Sequence, residues 1–291
     1  MTYYQFVQTV EEKIREGLEK SVCVSVHTAQ KYNGTLRKGI LFAEQGNNVS
    51  PTIYLEEYFR QFERGDTIDA IVKEILLLYR RIRFKEPWKE EIIRNYEGIK
   101  GRIVYRLINR KDNEALLGEM PYVPYLDLAI VFYVLLEAGT YGTAAMPVKK
   151  EHLKMWKISK EQVYEQACKN TQRLLPYDFR SMHSVIEELM DIEELKGEEV
   201  LYVLSNHLRS FGAAAVLYPG RLEEVGSYLG EDFYVLPSSV HEMIVVRKSA
   251  ASGKDFLSAM VTEINMTQVD REEVLSNQAY YYDCAHKKLS L

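Results

Sequence analysis

Apolar residues recur at every fourth position near the start of the chain, and this spacing places them on one face of a helix. They are Phe6, Val10, Ile14 and Leu18. We therefore predict a helix over residues 3–19. The stretches 22–30 and 35–44 are rich in β-favouring residues, and between them lies Asn33-Gly34, the dipeptide that best supplies the two left-handed positions of a type I′ turn. This order predicts a β-hairpin.

The middle of the chain predicts helices on both sides of a buried strand. Pro51 begins a helix-rich run that reaches residue 83, with Gly65 as a stop between two helices. Residues 125–137 are almost continuously apolar, as in a strand that is covered on both faces, so we expect a central strand there. The other elements predicted here are a strand over 143–148 and helices over 149–156 and 159–174.

The last hundred residues predict a β-β-α-β-β unit over 200–248, in which a helix packs on one face of an antiparallel sheet. Its strands are expected at 201–206, 213–219, 232–239 and 241–248, and its helix at 220–230. Two further helices are predicted over 254–265 and 270–276, and an edge strand in the tyrosine-rich tail.

Together these elements predict an α+β fold, with mainly antiparallel sheets, helices packed on their faces and a helix-rich N-terminal half. We divide the chain into 1–120, with the helix, hairpin and helical segment, and 121–291, an α+β region; a single domain stays open. The acidic stretch 187–199, with seven carboxylates and one lysine, predicts a solvated helix and connection, and it is a second position for a boundary.

Composition narrows the class of protein. Hydrophobic residues make up 46% of the 291 residues and charged residues 27%, as in folded cytosolic proteins, and the three cysteines are too scattered for a disulfide framework. The N-terminus lacks the pattern of an export signal, and the apolar stretch 126–136 is shorter than the ~20 residues of a spanning helix. We expect a cytosolic protein without membrane association.

One segment departs from the acidic balance of the chain. Residues 80–111 contain eleven Lys or Arg against four Glu, a local charge of +7 in a chain of net charge −5. Within it Arg102, Arg106 and Arg110 have the spacing of one helix face, which predicts a helix with one basic and one buried side. Such a stripe would bind an anion or nucleic acid. The alternative is a solvated face, or one paired with acidic segments such as 187–199.

His241-Glu242 comes closest to a catalytic dipeptide, because HExxH on a helix places two histidines on one zinc ion. Here the fifth position is Val245 and the segment alternates like a strand, so no second ligand follows. With Ser238, these two residues are weak candidates for a catalytic site. Cys23 and His27 share a strand face without further ligands, and we predict no metal and no cofactor.

Four segments of the chain together resemble a family of bacterial proteins that is catalogued only as a domain of unknown function. The members of this family are found in anaerobic, mostly gut-associated bacteria. They lie at 48–65, 147–176, 213–246 and 265–283. The resemblance spans most of the chain and implies a cytosolic bacterial protein, often encoded near mobile elements. It implies no activity and no catalytic residues.

No nucleophile, base and orienting group stand in a recognisable pattern, so we lean against an enzyme and favour a non-enzymatic interaction or regulatory protein. We expect a protein partner or self-association. One of Tyr280, Tyr281 and Tyr282 would face solvent as an interface anchor, although a simple edge strand explains them equally well. The first alternative is a nucleic-acid-associated accessory protein of a mobile element that uses residues 80–111. The second is a hydrolase-type enzyme with a site around His241 and Glu242.

Overall fold

A computed structural model describes residues 1–47, 50–83, 90–139, 142–191, 197–237 and 239–291. Their contacts divide the chain into two compact units, Met1–Ile93 and Arg94–Leu291. Each unit combines helices with antiparallel strands, so the fold is α+β as predicted. The first unit is rich in helices. Within the described residues, no helix combines the length and the apolar character that crossing a membrane requires.

The N-terminal unit is a three-stranded sheet packed against helices. Its elements are α1 (Tyr3–Glu16), β1 (Val22–Gln30), β2 (Leu36–Glu44), β3 (Thr52–Tyr54), α2 (Glu56–Glu63) and α3 (Ile68–Ile82). Strand β2 lies between β1 and β3, and both pairings are antiparallel. Fully buried side chains from α1, β2 and α3, such as Phe6, Phe42 and Ile75, form the core.

The predicted helix and hairpin of this unit are confirmed. Asn33 and Gly34 both adopt left-handed backbone conformations, with φ of 55° and 70°, and the Thr35 amide donates to the Tyr32 carbonyl at 3.1 Å. The helix-rich run after Pro51 begins differently from the prediction, because residues 52–54 first add the short strand β3 to the sheet.

The C-terminal unit begins with a four-stranded antiparallel sheet. The elements are α4 (Glu90–Arg94, across the boundary), α5 (Tyr96–Ile99), β4 (Ile103–Asn109), α6 (Glu114–Glu119), β5 (Tyr122–Tyr125), β6 (Leu128–Gly139), β7 (Gly142–Pro147), α7 (Lys150–Trp156) and α8 (Lys160–Leu174). Strand β6 is central, as predicted, and pairs with β4, β5 and β7. This sheet therefore contains residues from both sides of position 120, where the sequence placed a division.

The predicted helix through Arg102, Arg106 and Arg110 is wrong. Residues 103–109 form strand β4, and every residue from Ile103 to Ile108 is buried. A helix would have left half of these residues in water, whereas a strand covered on both faces buries β-branched and aromatic side chains from both sides. The free edge of β4 is covered by α8, because Thr171 Oγ1 accepts from the Tyr105 amide at 3.0 Å and Asn170 Nδ2 donates to the Ile103 carbonyl at 2.9 Å.

A six-stranded antiparallel sheet completes this unit. Its elements are β8 (Tyr177–Ser181), α9 (Met182–Met190), β9 (Leu201–Asn206), α10 (Arg221–Leu229), β10 (Phe233–Leu236), β11 (Met243–Arg247), α11 (Lys254–Thr267), β12 (Tyr280–Asp283) and β13 (Lys288–Ser290). The strand order is β13-β12-β10-β11-β9-β8. Leu257 and Val261 of α11 pack against Leu236 and Val246 of the sheet.

Three local predictions for this region need correction. The alanine-rich residues after Gly212 form a 3₁₀ helix, Gly212–Leu217, and not a strand, because alanine fills little space on a sheet and favours helical backbone. The helix predicted over 270–276 is reduced to the 3₁₀ turn Arg271–Glu273. In the tail β12 pairs on both sides, and the edge position belongs to β13.

Candidate functional site

His241 lies in the turn between β10 and β11, where its ring contacts a carboxylate from a distant part of the chain. Its Nε2 lies 3.1 Å from Oε1 of Glu273, in the 3₁₀ turn after α11. Burial lowers the pKa of His241, but the hydrogen bond and the charge of Glu273 outweigh burial, so the net shift is upward. The pair links the β10–β11 turn to the segment that precedes β12.

The other polar groups of His241 are also engaged. Its Nδ1 lies 3.3 Å from the amide of Phe211, which can only donate, so the network assigns the neutral ring a proton on Nε2. The backbone amide of His241 donates to Ser239 Oγ at 3.0 Å, and its carbonyl accepts from Ser205 Oγ at 2.7 Å. Both ring nitrogens therefore serve to connect protein segments.

The loop that His241 contacts, residues 206–212, holds an unusual backbone. Arg209 and Phe211 have φ of 49° and 52°, in the left-handed region that side chains other than glycine rarely adopt. The buried Asn206 side chain fixes this loop, since Oδ1 accepts from the Leu208 amide at 3.0 Å and Nδ2 donates to the Ser210 carbonyl at 3.0 Å. Strain of this kind persists only where the surroundings impose it, and it concentrates at functional sites.

Gly212 closes the loop at a position where no side chain fits. A Cβ there would lie 2.6 Å from the Asn206 amide nitrogen and 2.7 Å from the His241 carbonyl oxygen. Both are backbone atoms that cannot rotate away. The loop therefore packs directly against β9 and the His241 turn, which fixes the position of Phe211.

Arg106 of β4 reaches the same place from the four-stranded sheet. Only 7% of its surface is exposed, and its guanidinium carbon lies 3.7 Å from the centre of the Phe211 ring and 4.3 Å from that of Tyr133. One nitrogen, Nη2, donates to Thr143 Oγ1 at 3.2 Å. Within the described residues, no carboxylate lies within ion-pair distance of this guanidinium.

Glu242 adds a second acid beside His241, and it is half-buried. Burial raises its pKa most, the charge of Glu273 adds to this, and His241 and a hydrogen bond with Ser239 oppose it. The charge of Arg106 influences His241, whose pKa it lowers. Ser238, the third weak catalytic candidate, lies outside the described residues.

The predicted stripe of three arginines does not form one surface. Arg102 donates to the carbonyls of Leu135 and Leu136 at 3.4 and 3.1 Å, Arg106 is buried, and Arg110 is exposed at the end of β4. The structure separates these three and instead brings Arg106 close to His241, since both contact the Phe211 ring. Residues 80–83 of the basic segment belong to the other unit.

The N-terminal unit has a cleft of about 230 Å³ at the ends of α1 and α3. Its charged groups compensate one another, because Glu44 accepts from the Tyr79 hydroxyl and lies 3.8 Å from the Arg83 guanidinium. The two regions differ in this respect, since Arg106 has no such acidic neighbour in the described chain.

The chemistry around His241 favours holding a ligand over activating one. In the described ranges no three His, Cys, Asp or Glu side chains are placed to hold a metal ion. The His241 ring contacts no serine hydroxyl there, because Ser239 and Ser205 bind its backbone. Arg106, in contrast, lies over the rings of Phe211 and Tyr133, and a guanidinium binds a carboxylate or phosphate through two parallel hydrogen bonds.

Sequence reasoning missed the four residues that complete this arrangement: Tyr133, Thr143, Phe211 and Glu273. Each lies far along the chain from Arg106 and His241 and gains its role only through the fold. The one local signal was the polar loop between Asn206 and Gly212, where a sharp change of direction is expected.

Comparison with known proteins identifies the family of this chain but indicates no activity. Neither a curated protein nor a solved structure matches the chain. One family model matches residues 3–284, which include nearly all of both units. The expected origin in anaerobic gut bacteria stays a prediction. The chain belongs to this family, which is described as a family of unknown function (DUF5688).

Proposed function

We propose that this protein is a non-enzymatic regulatory protein that binds a small ligand with a carboxylate or phosphate group through Arg106. The observation that carries the proposal is that Arg106 is only 7% exposed, with one hydrogen bond and no carboxylate partner for its guanidinium in the described chain. Arginine cannot lose its proton at ordinary pH, so the charge persists in this environment. A bound anion would supply the missing partner.

The free energies support this assignment. Removing a cation from water costs several kcal/mol unless a partner compensates it. The stacking of the guanidinium on Phe211 and Tyr133 returns at most about 2 kcal/mol for each ring. The hydrogen bond to Thr143 adds about 1 to 2 kcal/mol. A ligand oxyanion would add both charge compensation and two parallel hydrogen bonds.

The surroundings favour binding over catalysis. A general base needs a nitrogen that can reach the substrate, and both ring nitrogens of His241 are engaged with Phe211 and Glu273. We assign the His241–Glu273 pair the role of holding the strained loop, and with it the Phe211 ring, against Arg106. The strain at Phe211 is the expected cost of this preorganised position.

A hydrolase-type enzyme is the second candidate, favoured by Glu242, whose raised pKa suits a proton donor. Nucleic-acid binding through residues 80–111 stays a prediction, with the qualification that the buried Arg106 contributes nothing to an exposed basic surface. A cytosolic location and a protein partner that responds to the ligand complete the proposal.

The test measures ligand-induced stabilisation. Inorganic phosphate and a panel of small mono- and dicarboxylates are added at increasing concentration, with unfolding followed by thermal shift and binding by calorimetry. A ligand at 100 times its Kd stabilises by about 2.7 kcal/mol, a shift of several degrees in Tm. We expect one class of anion to produce this shift in the wild type.

Two variants make the test specific. Arg106→Gln should abolish the shift, while Arg110→Gln, which removes an exposed arginine from the end of the same strand, should keep it. Equal shifts in the two variants would show that any anion effect is nonspecific, and a wild type that responds to none of these anions would remove the proposal. Turnover of any ligand, measured by product analysis, would favour the enzyme.

A further inference from the structure

Strand β1 forms a long edge of the three-stranded sheet. It has nine residues, Val22–Gln30, and pairs along one side only, with β2. Its sequence, VCVSVHTAQ, contains no charged residue, no proline and no glycine. Natural proteins normally protect such an edge with charges, proline, a bulge or a covering element, because unpaired backbone groups invite another strand.

The other sheet edges of the described chain carry these protections. Strands β3 and β13 have three residues each, β5 contains Pro124, and β7 contains Pro147. Strand β8 carries Asp178 and Arg180, and the edge of β4 is bonded by side chains of α8. Among the sheet edges that the structure describes, the open edge of β1 is therefore the exception.

Hydrogen bonds show which backbone groups of β1 point outward. The Ser21 carbonyl accepts from the Gln45 amide at 3.3 Å, so odd-numbered residues face β2. The Val24 carbonyl accepts from Arg15 Nη2 at 3.3 Å, which is possible because even-numbered residues face away from β2. In the described part of the chain, the outward groups of Val26 and Thr28 meet no other protein group.

We propose that β1 pairs antiparallel with β1 of a second copy of this chain, joining two three-stranded sheets into one. The register that uses all nine residues places Val26 opposite its own copy, so the contact closes as a two-fold dimer. Because each Val22 amide is already bonded to Glu19, the register offers about eight backbone hydrogen bonds. Ser25 then lies opposite His27 of the other copy, and no two charged residues face each other.

At the start of this edge the Val22 amide donates to the Glu19 carbonyl at 3.0 Å, and further along Arg15 bonds the Val24 carbonyl and can leave it. Its guanidinium also contacts Glu11 at 2.7 Å, so its charge stays compensated when it releases the Val24 carbonyl. The exposed side chains of Cys23, His27 and Thr28 show that this edge is accessible in the single chain. A second copy fits better than an unrelated peptide because it supplies a strand of equal length and neutral character.

The test compares two substitutions at one position. Thr28→Pro removes an outward amide proton without taking a donor from the β1–β2 ladder, which an edge strand tolerates. Thr28→Val keeps the amide and is the matched control. Sedimentation of the full chain over a range of concentrations should show a dimer for wild type and Thr28→Val, and at least a tenfold weaker association for Thr28→Pro.

A further variant covers the case in which Thr28→Pro damages the hairpin, which circular dichroism and Tm would reveal. Thr28→Lys keeps the backbone amide and adds the kind of charge that protects edges, so it should also weaken the dimer. A monomeric wild type at high micromolar concentration would overturn the proposal. So would a dimer that both Thr28→Pro and Thr28→Lys leave unchanged, because its interface would lie elsewhere.

Discussion

Two charged side chains of the C-terminal unit, the half-buried Asp127 and the buried Arg106, have opposite surroundings. The Asp127 carboxylate accepts hydrogen bonds from the hydroxyls of Ser276 and Tyr280, both of which are buried. Among the described residues, Arg106 has one hydrogen bond for its five N–H groups, and its guanidinium lies over two aromatic rings. The first charge is compensated by the fold and the second is not.

Under the proposed function, this difference separates a structural charge from one that binds a ligand. Asp127 follows Leu126, whose φ of 52° makes the β5–β6 turn strained, and its two hydrogen bonds tie that turn to Ser276 and to the first residue of β12. These bonds stabilise the fold and leave few acceptor positions for a ligand. The N–H groups of Arg106 that bond no described residue could bind a ligand, but leaving them unbonded lowers the stability of the fold. Binding sites commonly lose stability in this way.

Asp127→Ala should produce the largest loss of stability. The substitution leaves the hydroxyls of Ser276 and Tyr280 without an acceptor in a buried setting, which costs about 1 to 3 kcal/mol for each group. We expect a loss of about 3 kcal/mol in the free energy of unfolding, measured by urea denaturation. The exposed Asp112→Ala, expected within about 0.5 kcal/mol of wild type, is the control. An Asp127→Ala effect no larger than the control's would break the comparison.

Local signals in the sequence predicted the elements whose structure is decided locally. Asn33-Gly34 specified its turn because few other residues accept two left-handed positions, and the apolar run of β6 specified a central strand because only burial on both faces explains it. The arginine spacing misled, since positions four apart share a face in a strand as well as in a helix. The β-branched residues between the arginines were the better guide.

The site was predictable only in fragments. Arg106 and His241 were each identified from local patterns, one as part of a basic stripe and the other as half of a failed zinc motif. Their proximity depends on the packing of two sheets, and Glu273 and Phe211 carry no local mark of their roles. The two aromatic rings that cover Arg106 are brought there by the tertiary structure, which the spacing of apolar residues along the sequence does not predict.

Arg106→Met tests the other half of the comparison, and we expect it to change stability less than Asp127→Ala does. Methionine keeps the length and the contacts with the two rings while removing a charge that the fold does not compensate. In the absence of added anion we expect stability within about 1 kcal/mol of wild type, or above it, by the same denaturation measurement. A loss of more than about 3 kcal/mol would mean that the protein itself stabilises the charge, as it does for Asp127.

Glu242→Gln gives the smallest effect. It tests whether the Glu242 carboxylate compensates the charge of Arg106 from beyond ion-pair distance. Burial raises the pKa of Glu242 in the folded protein above its unfolded value, so folding is favoured most at low pH and loses stability as pH rises through the folded pKa. The variant should therefore equal wild type near pH 4 and exceed it at pH 8, by about 1 kcal/mol. Denaturation of both proteins at the two pH values measures the difference. If Glu242 did compensate the charge of Arg106, the result would be the opposite. Removing the carboxylate charge would then leave the buried arginine without compensation, and the variant would be less stable than wild type at pH 8.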